Sequence, residues 1–198
     1  MYPTVTERSI RHPLIWILTF VVVGVLTGTP DARAQEMIIG EETIDPGITM
    51  TFEAAPKDDV TPYEQNLAES DTDIHIEVLA HWATNPDVSV PDGVQRGGFV
   101  GYMRFFATIT NQSTGETDKV ALIPHITLGD AMHYARNVSL PGSPTDLYTV
   151  TFDVRPPAET ELAFHKSWRD AHGTPLFQPA SYTFENLDFE AMSAATRR

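Results

Sequence analysis

The chain reads as an all-β protein, a sandwich of short strands joined by long acidic loops, and three observations predict it. From Asp73 to Ala80 the residues alternate, Ile74, Ile76 and Val78 on one face and His75 and Glu77 on the other, the period-2 pattern of a half-buried strand. Further apolar runs of strand length are separated by turns such as Asn111-Gln112-Ser113-Thr114-Gly115. The stretches without alternation, 55–72 and 84–98, are rich in Pro and Asp and read as loops. Six or seven short strands with polar turns bury their apolar faces most simply as two packed sheets.

Taken in order, the chain opens with a segment that belongs to no strand. Arg8 and Arg11 precede thirteen largely apolar residues, Leu14 to Leu26, and Ala32-Arg33-Ala34 supplies a small-x-small cleavage pattern. This predicts a signal peptide over 1–34, export to the periplasm, and a single domain over 35–198. A membrane-spanning helix needs about 20 apolar residues, so no direct membrane insertion is expected after cleavage. Strands then follow at Met37 to Gly40, Ile48 to Glu53, Asp73 to Ala80, Phe99 to Thr110, Lys119 to Ile126 and Leu147 to Val154. Ala158 to Arg169 reads as a short helix or a structured loop, and the end, from about Met192, as frayed.

Charge and cysteine content narrow the function classes. Thirteen Lys and Arg face twenty-seven Asp and Glu; without Arg8, Arg11, Arg33, Glu7 and Asp31 the exported chain keeps ten against twenty-five, a formal charge of −15. Such a surface repels nucleic acid and anionic lipid and concentrates cations. The absence of Cys excludes disulfides, lipid attachment at a cysteine, a cysteine zinc site and a blue-copper thiolate.

What remains conspicuous is histidine. His75-x-Glu77 presents an imidazole and a carboxylate on one strand face, about 7 Å apart along the chain, a half-site for Fe(II), Mn(II) or Cu(II). His125 and His133 flank a Gly-Asp turn, so a strand end and the following loop bring both rings towards one point. His165 lies beyond Pro156-Pro157 and joins them only if its loop curls back, whereas His81 and His172 read as surface residues. Two other function classes stay open on the residues alone: a structural or adhesive sandwich, and a metal-dependent enzyme with Glu77 as base. No nucleophile motif, phosphate loop or second acidic cluster at a catalytic spacing supports the enzyme, and no catalytic residue is assigned.

The ordered set Thr72-Asp73-Ile74-His75-Ile76-Glu77, Met132-His133-Tyr134-Ala135-Arg136-Asn137-Val138 and Leu147-Tyr148-Thr149-Val150-Thr151-Phe152, followed by Pro156-Pro157 and His165, resembles the periplasmic ferrous-iron transport proteins, the family related to the pathogen-specific membrane antigen Tpd. Gly40-Glu41, Gly47-Ile48 and Phe52-Glu53-Ala54 extend the resemblance over about Met37 to Phe189. It implies an immunoglobulin-like sandwich, a homodimer, binding of copper and iron or manganese, and work beside an inner-membrane iron permease. It further implies His75, Glu77, His133 and His165 as ligands. The family's methionine seven positions before the loop histidine is missing: Ile126 holds that offset and His125 lies one further back. A one-residue insertion in the turn lets His125 take the methionine's place, with Met132 as a displaced sulfur ligand in the alternative. Imidazoles with Glu77 form a harder set than one containing a thioether, suited to Cu(II), Fe(II), Mn(II) or Zn(II) rather than Cu(I). Ala135 and Arg136 replace the family's glycine and small or acidic residue, and Arg136 weakens cation binding unless it points away or pairs with Asp130. Binding and hand-over is the expected mechanism, with affinity falling below about pH 6.5 as free imidazoles protonate.

Overall fold

Eight antiparallel strands carry the chain in the computed structural model, which describes residues 36–197. They are β1 (Met37–Ile44), β2 (Ile48–Ala55), β3 (Ile74–Trp82), β4 (Arg104–Asn111), β5 (Thr117–Thr127), β6 (Ala131–Val138), β7 (Leu147–Arg155) and β8 (Ala180–Asp188). Two short helices, α1 (Lys166–His172) and α2 (Glu190–Ala194), flank β8. The signal-peptide segment 1–34 lies outside the described residues. Among those described, no helix is long and apolar enough to cross a membrane.

Hydrogen bonding runs in the order β1-β2-β3-β6-β5-β4-β7-β8, one eight-stranded sheet bent so that its inward faces meet. Alternation sets those faces. Ile48, Met50, Phe52 and Ala54 of β2 and Ile74, Ile76, Val78 and Ala80 of β3 pack against Phe105, Ala107 and Ile109 of β4 and Val150, Phe152 and Val154 of β7. Phe52 meets Phe152 with ring centroids 4.5 Å apart and Phe184 of β8 at 5.4 Å, joining opposite ends of the strand order. Gly40 permits that closure, since a Cβ there would run into the Phe184 ring.

The expected strands are all present, with Phe99–Met103 preceding β4 rather than forming its start. Two strands were not expected. Ala131–Val138, read as a loop, is β6, held in the sheet by Tyr134, whose hydroxyl donates to Val100 O (2.8 Å) and accepts from Met103 N (3.0 Å). Ala180–Asp188 is β8, the partner of β7. The end expected to fray instead folds back: Met192 packs on the core, Thr196 bridges to Lys57, and Arg197 N donates to Lys57 O (3.1 Å).

Candidate metal centre

The outer face of β2, β3, β6 and β5 is polar yet largely enclosed, and the strand register builds the site on it. Glu53 of β2 lies opposite Glu77 of β3, Glu77 opposite Ala135 of β6, and Ala135 opposite Ile123 of β5. His75 pairs with Asn137, and His125 with His133 one register step towards the β5–β6 turn. Because side chains alternate, all of these stand on one face, opposite the apolar core. His75, Glu77 and His133 are buried, at 2 %, 0 % and 0 % exposed.

Hydrogen bonds fix which ring nitrogen faces inward. Asn137 Oδ1 accepts from His75 Nδ1 (2.7 Å), while its amide donates to Asp58 O (2.8 Å) and Leu67 O (2.9 Å), so Asn137 both aims the ring and pins the 56–72 loop. His133 Nδ1 donates to Ala131 O (3.3 Å). Each ring with its proton on Nδ1 offers the Nε2 lone pair to the interior, the arrangement by which outer groups orient imidazole ligands. Nε2 of His125, Nε2 of His133 and Oε2 of Glu77 are shielded from water and have no hydrogen-bond partner. Oε2 of Glu77 is 3.5 Å from His133 Nε2 and 3.8 Å from His75 Nε2, too far for good hydrogen bonds.

One ligand nitrogen from each of His75, His125 and His133 lies within 4.8 Å of the others. Two nitrogens bound to one ion at about 2.1 Å are at most about 4.2 Å apart, so at most a small inward shift of the rings turns the group into a ligand set. Burial holds the imidazoles neutral: desolvation lowers His75 to about 4, against the Asn137 hydrogen bond, and lowers His125 to about 4, helped by repulsion from His75 and His133. His133 is lowered by the same cause. Glu77 is raised to about 8 by burial, although Arg197 opposes the rise. Orphaned buried lone pairs on His125, His133 and Glu77, with the neutral His75 ring beside them, are what a borderline divalent ion satisfies.

His75, Glu77, His125 and His133 are therefore brought together, and two other sequence-predicted residues are not. His165 is exposed at the residue preceding α1, outside the group. Met132 alternates to the other face of β6 and lines a groove with Phe99, Met103 and Tyr134, so it supplies no displaced sulfur to this group. Arg136 points away, donating to Ala121 O (3.1 Å) and to Gln65 O, and the arginine that pairs with Asp130 is Arg197 instead. The sequence reading missed Glu36, Glu53 and Arg197. Arg197 Nη2 reaches Glu36 (2.6 Å) and Glu77 Oε1 (3.4 Å), and Nη1 reaches Asp130 (3.4 Å). Glu53, a charge inside the apolar run of β2, was a visible signal, but its juxtaposition with Glu77 depends on register.

Comparison with known proteins fits this geometry. The family model described as Fe2+ transport protein matches residues 33–191. No curated protein matches. Among solved structures, a copper-bound variant of FetP from uropathogenic Escherichia coli strain F11 is 21% identical, covering 76% of this chain and 95% of that one with a TM-score of 0.62. Copper-reconstituted P19 from Campylobacter jejuni is 21% identical over 76% of this chain and 94% of that one, TM-score 0.62, and a copper-bound variant of it 22% identical over 77% and 96%, TM-score 0.63. At these identities the likeness is one of fold.

Proposed function

The chain belongs to the Fe2+ transport protein family, and from that membership we propose that it is a periplasmic metal-binding protein that takes part in iron uptake by passing its ion to an inner-membrane permease. The observation that carries the proposal is the convergence of three neutral imidazoles beside Glu77, with Nε2 of His125, Nε2 of His133 and Oε2 of Glu77 buried and unpartnered. His75, Glu77, His125 and His133 are the ligands in this reading, and copper and iron the ions, with Mn(II) or Zn(II) accommodated by the same hard donor set. The copper-bound relatives support copper. Cu(II) heads the affinity order for such a site, so the ion carried in the cell depends on supply as well as on affinity.

Residues 1–34 act as the cleaved export signal in this account, and the bent sheet is an immunoglobulin-like sandwich whose layers share β5. His165, exposed, is available to a neighbouring site in a homodimer, which gives the family's third imidazole a source that the chain's own geometry lacks. No step of chemistry is required beyond binding and release.

Uptake of radiolabelled iron by cells lacking the protein, complemented with wild type or His133→Ala, tests the role. Restoration by wild type and not by the variant is expected under iron limitation. Equal restoration by both would remove the imidazole site from the transport function.

A further inference from the structure

Beside the imidazoles stands a second group that shares Glu77 with the proposed site and adds Glu36 and Glu53, which that site does not use. Glu53 and Glu77 face each other across β2 and β3, 7% and 0% exposed, and carboxylate oxygens of Glu36, Glu53 and Glu77 lie within 4.8 Å of one another. Two carboxyl groups directly opposite in a ladder and out of water ionise together only with a cation beside them, so this arrangement suits a cation. Arg197 is that cation: its guanidinium reaches Glu36, Glu77 and Asp130, and its backbone is held on Lys57, whose ammonium in turn donates to Ser193 O (3.2 Å). The guanidinium makes no contact with Glu53, whose buried Oε2 has no partner. One fixed positive charge thus serves three carboxylates and leaves a buried oxygen of the fourth, Glu53, unmet.

We propose that the Glu36–Glu53–Glu77 cluster is a second cation site, that Arg197 fills it, and that the arginine thereby limits the chain to a single metal ion at the imidazoles. The inference rests on the imidazole site proposed above. An all-oxygen set selects a hard divalent ion such as Mn(II). Glu77 would then bridge two ions, and a guanidinium left between the same carboxylates would repel the second, so arginine and second ion exclude each other. Removing the arginine opens the site.

The test uses the exported chain, stripped of metal, loaded with one equivalent of Cu(II) and titrated with Mn(II), free Mn(II) being read by electron paramagnetic resonance. Copper-loaded wild type is expected to take up no Mn(II), and Arg197→Gln one equivalent, lost again when Glu53→Gln is added. Arg197→Met, which keeps the apolar stem, gives the same gain if the glutamine variant folds poorly. Uptake by wild type equal to that of the variants, or none by either Arg197 variant, overturns the inference. Failure of wild type to hold the copper appears before any manganese is added and overturns the imidazole reading instead.

Discussion

His125 and His133 stand directly opposite each other on β5 and β6, with ring centroids 5.9 Å apart, and His125 also meets His75 at 5.3 Å. His125 therefore stands with His75 and His133 on one face of the sheet, beside both rings. In the proposed site the donors are three imidazoles and a carboxylate, with no soft sulfur.

Restoring sulfur should move the preference. In His125→Met the ratio of Cu(I) to Cu(II) affinity should rise by roughly tenfold or more, equivalent to about 1.4 kcal/mol. Competition with chromophoric chelators for each oxidation state measures it. An unchanged ratio would show that His125 does not touch the ion.

Asn137 acts on the ion through His75 and on the fold through the 56–72 loop. Asn137→Ala should lower metal affinity by about 10–100-fold, the usual effect of losing the group that orients a ligand imidazole. Loss of its bonds to Asp58 O and Leu67 O should also cost about 1–3 kcal/mol of metal-free stability. Calorimetry and thermal melts of the same samples read both effects, and an affinity within a factor of two of wild type would refute the orienting role.

Proton competition comes from the carboxylate more than from the rings. With His75 and His125 near 4 in the fold and Glu77 near 8, binding an ion at neutral pH must expel about one proton, from Glu77. Affinity should accordingly fall by about tenfold per pH unit from pH 8 downwards, steepening further as the lowered histidines protonate below the free-imidazole value of about 6.5, rather than beginning to fall at that value. Titrations in buffers of different ionisation enthalpy count the protons released; none released at pH 7 would contradict the assignment.

The same groups bear on the metal-free protein. The histidines have folded values below the unfolded 6.5, so their contribution to stability is present above that pH and lost as pH falls towards 4. Glu77 is raised, so its contribution is fully present below its unfolded 4.5 and lost as pH rises through about 8. Stability measured by denaturant should therefore pass through a maximum between these limits, and a steady rise to pH 9 would be the wrong result.

Tyr134, beside His133, serves the scaffold. Tyr134→Phe leaves Val100 O and Met103 N without their partner and should cost about 1–3 kcal/mol. Chemical denaturation checks the loss, with metal affinity in the folded variant expected to stay near wild type.

Much of this was legible in the sequence because period-2 alternation reports faces directly. His75 and Glu77 were placed on the polar face of a strand by the isoleucines and valine between and around them, and they are found there. The β5–β6 turn was visible in Leu128-Gly129-Asp130, which brought His125 and His133 together. What the sequence hid was long-range. β6 carries Asn137 and Arg136 where a strand pattern would show apolar residues, because its polar groups are satisfied by loop carbonyls and by its neighbours. Glu53 could not be set against Glu77 without the β2–β3 register, and Arg197 sits in a tail whose polar composition gives no sign that carboxylates elsewhere hold it.

Calorimetric titration of the metal-stripped protein with Cu(II), Mn(II) and anaerobic Fe(II), beside His133→Ala, addresses the centre of the account. It predicts saturable binding near one ion per chain for wild type and at least about a hundredfold weakening in the variant, a loss of some 2.7 kcal/mol. Absent binding, or binding unchanged by the substitution, would contradict a metal site at His75, Glu77, His125 and His133.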